Sequence, residues 1–365
     1  MTVKIILMYA IGLFLIYLAI KKKMEPALLL PMGFGAILVN LPGSGVINQT
    51  IQGVGEVHGI IQWLYEVGIE TSEALPILLF IGIGAMIDFT HLLQRPVLFI
   101  FGFAAQAGIF VAIGIALLCG FDLKDAASIG MIGAADGPTS ILVSQILGSN
   151  YIGAISVAAY SYMALVPIIQ PVTIKAITTK NERQIRMSYT DRKISKKVKI
   201  IFPIVTTIIA GLIAPMSVSL VGFLMFGNLI KECGVLDKLA DTASDTLSNL
   251  ITLLLGITIS FSMRAEYFIR KETLIIMVIG LIAFVFDTIG GVLLVKILNL
   301  FLKKKINPMI GAAGISAFPM SGRVVHKMGL KEDPTNYLLM HAVGANVSGQ
   351  IASAIVGGLI IGLVL

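Results

Sequence analysis

Charged residues are scarce in this chain of 365 residues, where Asp, Glu, Lys and Arg together make up 13%. Cysteine is scarcer still: the two present, Cys119 and Cys233, match no metal-binding spacing and are too few for a disulfide framework. Neither a G-x-x-x-x-G-K-[ST] phosphate loop nor an H-E-x-x-H zinc motif occurs. The sequence therefore excludes a disulfide-stapled secreted domain, a P-loop ATPase and a zinc peptidase of that type.

Apolar residues and glycine are abundant instead. Apolar residues make up 57% of the chain, which also has 37 glycines, a composition typical of polytopic helical membrane proteins. The net charge of +7 would suit a nucleic-acid-binding protein, but the lysines and arginines lie in short loops between apolar runs, where they orient membrane helices. We expect an all-α polytopic membrane protein that binds no nucleic acid. Its first run, residues 5–20, lacks a cleavage site and is expected to be a retained transmembrane helix.

Apolar runs follow one another in the same order in two halves of the chain. Each half has five runs able to cross, or nearly cross, about 30 Å of hydrocarbon. They cover residues 5–20, 27–41, 75–89, 97–119 and 151–177 in the first half, and 200–214, 220–230, 250–263, 274–298 and 337–364 in the second. A glycine-rich segment precedes the last run of each half, at residues 130–140 and 307–320.

Short sequence words also recur at equivalent places. The word I-G-A-A at residues 132–135 returns at 310–313, and Asn-Tyr at 150–151 returns at 336–337. This repetition favours a duplication. Five crossings plus one re-entrant broken-helix hairpin per half would make the second half run upside down relative to the first. We therefore predict two inverted-topology repeats, as in many secondary transporters.

The basic segment at residues 181–199 is the predicted cytoplasmic linker between the repeats, which then cover residues 1–180 and 200–365. Placing the lysine-rich loops in the cytoplasm makes both chain termini external. The basic residues between 264 and 271 then also come out external, against the charge rule. Residues 56–70 carry apolar side chains at helical spacing, which predicts an amphipathic helix in the outer interface; a packed external loop is the alternative.

Asp136 is the most informative polar residue. It lies in G-A-A-D-G-P-T at residues 133–139, between apolar stretches. An ionised side chain at membrane depth costs several kcal/mol unless it is paired, and a broken helix exposes backbone carbonyls beside it. One carboxylate with neutral oxygens suits a small hard cation such as Na⁺. We predict a cation site in a broken helix; a polar turn at the membrane surface is the alternative.

Other polar residues at membrane depth have a functional and a structural interpretation. Asn346 lies in a small-residue stretch, where its amide could simply join helices. Tyr162 could relay a proton or be an aromatic core residue. Arg323 could hold a carboxylate or extend to the membrane surface. Asp287 is a lone deep carboxylate with no evident partner. In the second glycine-rich segment, Asn307, Gly311 and Ser316 offer neutral oxygens.

Four separated motifs resemble the β subunits of the sodium-translocating biotin-dependent decarboxylases. They are G-A-A-D-G-P-T at 133–139, A-A-Y-S-Y-M-A-L-V-P at 158–167, K-I-N-P-M-I-G at 305–311, and L-M-H-A at 339–342 with Asn346. The resemblance runs from about Gly33 to the end of the chain. It departs modestly: Ala134 stands where glycine is common in the family, and Ala345 where proline often precedes the asparagine.

The resemblance implies a membrane subunit in the bacterial inner membrane that decarboxylates carboxybiotin and couples this to Na⁺ export with proton uptake. Carboxybiotin would come from a partner, because this chain has no A-M-K-M attachment motif. The implied partners are a biotin carrier and carboxyltransferase subunit, a small membrane subunit and further copies of this chain. The residues that match functional positions of the family are Asp136, Tyr162 and Arg323 for catalysis, Arg323 for carboxybiotin, and Asp136, Asn307, Gly311, Ser316 and Asn346 for Na⁺.

The residues alone leave the energy source open. The same inverted repeat and the same Asp136 would serve a stand-alone ion-coupled symporter or antiporter. A passive structural membrane subunit is a third possibility, against which the buried charge argues. Avidin-sensitive Na⁺ transport would distinguish the decarboxylase subunit from the lone transporter.

Overall fold

The computed structural model describes residues 3–51, 53, 55–71, 73–187 and 193–365. Most of this part of the chain is helical. Its helices are α1 (Val3–Lys21), α2 (Pro26–Val39), α3 (Ile60–Tyr65), α4 (Ala74–Met86), α5 (Thr90–Gln94), α6 (Leu98–Ala104), α7 (Ala107–Leu118), α8 (Leu123–Gly130), α9 (Gly137–Ile146), α10 (Ile152–Ile177), α11 (Lys180–Arg183), α12 (Lys196–Ile213), α13 (Val218–Cys233), α14 (Asp237–Asp241), α15 (Ser248–Ile259), α16 (Ala265–Phe268), α17 (Lys271–Phe301), α18 (Met309–Ala312), α19 (Met320–Glu332) and α20 (Leu339–Val364).

Shorter turns join several of these helices. Tight 3₁₀ turns occur at Met131–Ala134, Pro215–Ser217 and Ser260–Met263, and π-helical turns at Glu66–Glu70 and Thr242–Leu247. A small antiparallel hairpin pairs β1 (Asn48–Ile51) with β2 (Gly55–His58).

The all-α polytopic membrane class is confirmed. Within the described ranges, seven helices are long and apolar enough to cross a membrane, and an eighth span arises if the bent pair Ile60–Glu70 and Ala74–Met86 is counted as one. α2 is apolar but has only 14 residues. Five crossings per half and the inverted arrangement of the halves stay predictions.

The predicted crossing at 97–119 corresponds to an apolar span at Leu98–Leu118, interrupted where α6 ends at Ala104 and α7 begins at Ala107. One predicted segment differs from the structure. The predicted helix at 56–70 is wrong in its first residues, which form β2. Gly55 adopts a left-handed conformation with φ of 100°, which glycine tolerates and which turns the chain into the hairpin. The helix begins only after Gly59, at Ile60.

Helices from opposite halves pack together reciprocally. α4 packs against α13 and α2 against α15, while α10 packs against α17 and α20 against α6. Glycines allow the closest approaches: a β-carbon on Gly84 would collide with the Leu224 carbonyl, and one on Gly227 with the Ile81 carbonyl. Small residues at such contacts let helix backbones pack without side chains between them.

The first residues of the linker between the halves bind to the second half of the chain. Arg183 Nε donates to Glu332 Oε1 at 2.8 Å and Arg186 Nε to Asp333 Oδ2 at 2.6 Å, both at the end of α19. Part of the predicted 181–199 linker, residues 188–192, lies outside the described residues.

Candidate cation site and basic cavity

Asp136 lies at a break between two short helices. The 3₁₀ turn Met131–Ala134 ends with Ala135 in a left-handed conformation, with φ of 52°. α9 then begins at Gly137 with Pro138 in its first turn, where proline's missing N–H costs no hydrogen bond. Asp136 is the N-cap of α9. The local sequence therefore places a carboxylate directly at a helix break.

The Asp136 carboxylate is buried and bonded only by neutral donors. Its Oδ2 accepts hydrogen bonds from Thr139 Oγ1 at 2.7 Å and from Ser353 Oγ at 2.8 Å. Its Oδ1 faces the Thr139 N–H at 3.5 Å. The side chain is 3% exposed, and within the described ranges it forms no ion pair. Such a carboxylate is a suitable ligand for a desolvated cation, because a cation would supply the missing countercharge.

The second broken segment meets the first at backbone level. The Ser316 N–H donates to the Ala134 carbonyl at 3.1 Å. Helix α20 holds this junction: Ser316 Oγ donates to the Gly349 carbonyl at 2.9 Å, and Gln350 Nε2 donates to the Ser316 carbonyl. The two glycine-rich segments therefore touch at their breaks, and α20 contacts both.

A small cavity of about 130 Å³ lies beside Asp136. Its polar lining includes Asp136, Tyr160, Ser316 and Gln350. The Tyr160 hydroxyl and Gln350 Oε1 are buried and have no hydrogen-bond partner among the described residues. Glu25 also lines this cavity, so two carboxylates border it. Unsatisfied buried oxygens are uncommon, and carboxylate, hydroxyl and amide oxygens are the ligand types that hard cations prefer.

Tyr160 is a residue that the sequence interpretation missed. The predicted tyrosine, Tyr162, lies two positions along α10 and outside this cavity; its hydroxyl donates to the Met277 carbonyl on α17. A helix advances about 200° in two residues, so the two phenols point to different sides. Gly137 packs so closely against Tyr160 that a β-carbon there would collide with the ring, a contact that only the tertiary structure reveals.

The predicted Na⁺ ligands do not all converge. Ser316 lines the Asp136 cavity, and Asn346 Nδ2 donates to the neighbouring Ile315 carbonyl at 2.7 Å, with Asn346 Oδ1 unpartnered among the described residues. Asn307 and Gly311 do not line it. Asn307 Nδ2 donates to the carbonyls of Arg183 at 2.8 Å and Ile185 at 2.9 Å, which holds the linker. Gly311 packs its backbone on that of Gly291 in α17. A ligand role for these two residues stays a prediction.

Arg323 lies in a separate, basic cavity of about 600 Å³. The cavity is lined by Arg323, Glu332 and four lysines, Lys23, Lys175, Lys327 and Lys331. Glu332 is already paired with Arg183, so it does not balance these five cations. The arrangement can hold a mobile anion.

Acidic groups at the end of α19 are similarly occupied. The Asp333 carboxylate accepts hydrogen bonds from the Thr335 N–H, from Arg186 and from the Thr335 hydroxyl. These bonds, with that from the Thr335 N–H having the largest effect, lower the pKa of Asp333 from 3.8 to about 2. The charge of Asp333 is therefore also engaged by the linker. The excess positive charge of the neighbouring cavity remains available to a ligand.

Asp287, whose partner the sequence did not reveal, caps a broken helix. Its buried Oδ1 accepts the Gly108 N–H at the start of α7. Gly133, in the turn before Asp136, packs so closely that a β-carbon there would lie 2.9 Å from Asp287 Oδ2. Carboxylates are favourable at helix N-termini, where backbone N–H groups lack partners. Asp287 thus joins the break between α6 and α7 to the Asp136 segment.

Comparison with known proteins places nearly the whole chain within one family of similar sequences. Residues 4–364 match the family model of the Na⁺-transporting oxaloacetate decarboxylase beta subunit. The chain is 46% identical to the methylmalonyl-CoA decarboxylase subunit beta of Propionigenium modestum, covering 98% of this chain and 94% of the relative. It is 45% identical to the glutaconyl-CoA decarboxylase subunit beta of Acidaminococcus fermentans, with 98% and 92% covered. It is 42% identical to the oxaloacetate decarboxylase beta chain of Klebsiella pneumoniae, with 98% and 95% covered.

Proposed function

The chain belongs to the family of β subunits of Na⁺-transporting decarboxylases, the membrane subunits of decarboxylase-coupled sodium pumps, and we propose that it decarboxylates carboxybiotin delivered by a partner's biotin carrier. Each decarboxylation is coupled to export of Na⁺ through the Asp136 cavity and to uptake of a proton. The carrier and carboxyltransferase subunit, a small membrane subunit and further copies of this chain are the proposed partners in the bacterial inner membrane.

The observation that carries the proposal is the Asp136 carboxylate, buried between two touching helix breaks and bonded only by neutral donors. Na⁺ would supply its countercharge. We propose Asp136 and Ser316 as Na⁺ ligands. The oxygens of Tyr160 and Gln350, which have no hydrogen-bond partner among the residues that the structure describes, would complete the site. Asn346 supports the site by holding Ile315, next to Ser316.

The basic cavity suits the other substrate. Carboxybiotin is an anion, and Arg323 can bind its carboxylate through two parallel N–H donors while the four lysines raise the local concentration of anions. Decarboxylation breaks the bond between the carboxyl carbon and the ureido nitrogen, releases CO₂ and leaves that nitrogen to take up a proton. The cavity therefore loses one bound negative charge per turnover. Tyr162, predicted to supply the proton, would have to exchange its bond to Met277 to do so.

Helix α19 connects the two sites. Arg323 lies in its first turn, and Ser316, seven residues earlier, contacts Ala134 at the Asp136 break. Loss of the negative charge bound beside Arg323 changes the electrostatic force on α19. This change would reach the contact between the two helix breaks through α19. A ligand shifts a conformational equilibrium only through such a difference in binding between states.

Alternating access follows from the proposed domains, the repeats 1–180 and 200–365 with a cytoplasmic linker at 181–199. Two features support an inverted repeat: the element order recurs, and α10 packs on α17 as α20 packs on α6. Movement of one repeat against the other would expose the Asp136 cavity to either side.

The test uses the full complex reconstituted in vesicles, with the purified chain alone for Na⁺-binding calorimetry. Asp136→Asn should abolish Na⁺ binding and Na⁺-dependent decarboxylation. Arg323→Gln should abolish decarboxylation while Na⁺ binding persists, and Lys331→Gln, which removes a charge from the same cavity, should retain most activity. Na⁺ transport that survives avidin would contradict the coupling, and Na⁺ binding that survives Asp136→Asn would contradict the site.

A further inference from the structure

A third, larger cavity opens on the membrane-facing side of the protein. This groove of about 720 Å³ runs between α1, α10 and α17. Its wall on α1 is formed by Leu7, Ile11, Phe14 and Leu18, which recur at helical spacing on one face. Eleven residues of helix span about 16 Å, roughly half of the hydrocarbon core of about 30 Å. The groove thus matches the depth of one leaflet, too short for a second transmembrane helix to fill along its length.

The groove ends in two basic residues at the level of the membrane surface. Arg270 and Lys271 line it, and Lys271 begins the apolar span of α17, so both lie where lipid headgroups would be. Deeper along α17 the lining is Leu274 and Met277. An apolar groove with cations at its outer end has the polarity of a phospholipid.

Contacts of Tyr9 show which end of α1 lies beside Arg270 and Lys271. The Tyr9 hydroxyl donates to the Asn40 carbonyl at 3.0 Å, and Asn40 Oδ1 accepts the Ala265 N–H at 2.7 Å. The start of α1 therefore lies near α16 and the following Arg270, while lysines 21–23 lie at the other end of α1. The basic residues 264–271, which the predicted topology places outside against the charge rule for membrane loops, lie at this end of α1.

Neither cation is neutralised within the described ranges. Arg270 Nε donates to the Glu266 carbonyl at 3.0 Å and its guanidinium lies 5.1 Å from the centre of the Tyr267 ring, but Arg270 and Lys271 form no ion pair in this part of the chain. Glu266 and Glu272 are the nearest acidic residues in sequence. An anionic headgroup would supply the complementary charge.

We propose that this groove binds one anionic phospholipid, with an acyl chain between α1 and α17 and its phosphate on Arg270 and Lys271. The acyl chain would pack against the ring of Tyr162, which also lines the groove and whose hydroxyl donates to the Met277 carbonyl. Bound lipid would then stabilise the contact between α10 and α17. This site is independent of the Asp136 and Arg323 sites, because it shares no lining residue with either.

The test reconstitutes the complete complex in vesicles of phosphatidylcholine and phosphatidylglycerol, each in turn carrying a photoreactive acyl chain. Peptides of α1 and α17 should be labelled more by phosphatidylglycerol than by phosphatidylcholine. Arg270→Ala with Lys271→Ala should lower this preference about 30-fold, which equals about 2 kcal/mol at about 1 kcal/mol per basic residue. Leu274→Trp, which fills the groove, should reduce labelling by both lipids.

The matched control is Lys303→Ala with Lys304→Ala, which removes two adjacent exposed cations that follow the other end of α17 and do not line the groove, and it should leave the preference unchanged. Na⁺ binding confirms that each variant is folded. Equal labelling by both lipids, or the same loss in the control, would overturn the proposal. So would labelling of a partner subunit's helix or of a second copy in place of these peptides, because another protein would then occupy the groove.

Discussion

Ser353 donates a hydrogen bond of 2.8 Å to the carboxylate of Asp136, which lies 217 residues earlier in the chain. The bond joins α20 to the break that precedes α9. It makes the last helix part of the candidate cation site, although Ser353 belongs to no motif that the sequence singled out.

Ser353→Ala should weaken Na⁺ binding about tenfold, because a hydrogen bond to a buried charged group contributes about 1.5–3 kcal/mol. Calorimetry of the purified chain measures this. Ser348→Ala is the control on the same helix, since Ser348 donates to the Leu98 carbonyl at 2.8 Å and not to a carboxylate. Equal effects of the two substitutions would show that Ser353 acts only through helix packing.

Asp136→Asn and Asp287→Asn compare two buried carboxylates, each at a helix break. Asp136→Asn should abolish measurable Na⁺ binding. Asp287→Asn keeps an oxygen for the Gly108 N–H, so it should retain Na⁺ binding and lower thermal stability by about 1–3 kcal/mol through the weaker helix cap. Loss of Na⁺ binding in both variants would make Asp287 a second part of the cation site.

Tyr160→Phe and Tyr162→Phe separate the two phenols of α10. The Tyr160 hydroxyl lines the Asp136 cavity and has no hydrogen-bond partner in the described part of the chain, so its removal should weaken Na⁺ binding several-fold at little cost in stability. The Tyr162 hydroxyl bonds Met277, so its removal should cost about 1 kcal/mol of stability and leave Na⁺ affinity unchanged. Calorimetry and thermal unfolding test both, and the reverse pattern would make Tyr162, and not Tyr160, part of the cation site.

Gly311→Ala should destabilise the second broken segment. A β-carbon at Gly311 would meet the Gly291 carbonyl and lie 2.8 Å from Val295 Cγ2, and overpacking of this kind costs about 1–3 kcal/mol. Gly114→Ala is the matched control, because nothing lies within 4 Å of a β-carbon at that helical position. It should be neutral or slightly stabilising. Thermal unfolding in detergent distinguishes the two; equal stability would show that the Gly291 contact is loose.

Acid should release the linker from α19. The folded pKa of Asp333 is about 2, below its ordinary 3.8, so the stability that its ionised form contributes is present above about pH 4 and is lost as the pH falls towards 2. Asp333→Asn should flatten the fall of the unfolding temperature across this window. Asp237→Asn, at an exposed residue that begins α14, should leave it unchanged. An unaltered acid slope in Asp333→Asn would contradict the assignment.

Local sequence was sufficient for much of the fold and for the centre of the site. Apolar runs predicted the membrane helices, and a carboxylate beside Gly137-Pro138 predicted a broken helix at Asp136. The sequence left open what depends on neighbours in space. It predicted a proton-transfer role for Tyr162 and did not single out Tyr160, whose ring packs against Gly137 beside Asp136. It predicted Asn307 as a Na⁺ ligand together with Asp136, and in the structure the Asn307 amide bonds the linker carbonyls.

By itself, the sequence determined that this protein lies in a membrane, that it carries one buried carboxylate at a broken helix, and that its motifs are those of a decarboxylase β subunit. These properties depend on composition and on residues close together in the chain. Only the tertiary structure decided which groups face Asp136, that Asp287 caps α7, and that a lysine-rich cavity surrounds Arg323. Those contacts join residues far apart in the chain, 217 positions in the case of Ser353 and Asp136. They depend on which helix faces pack together, which hydropathy does not specify.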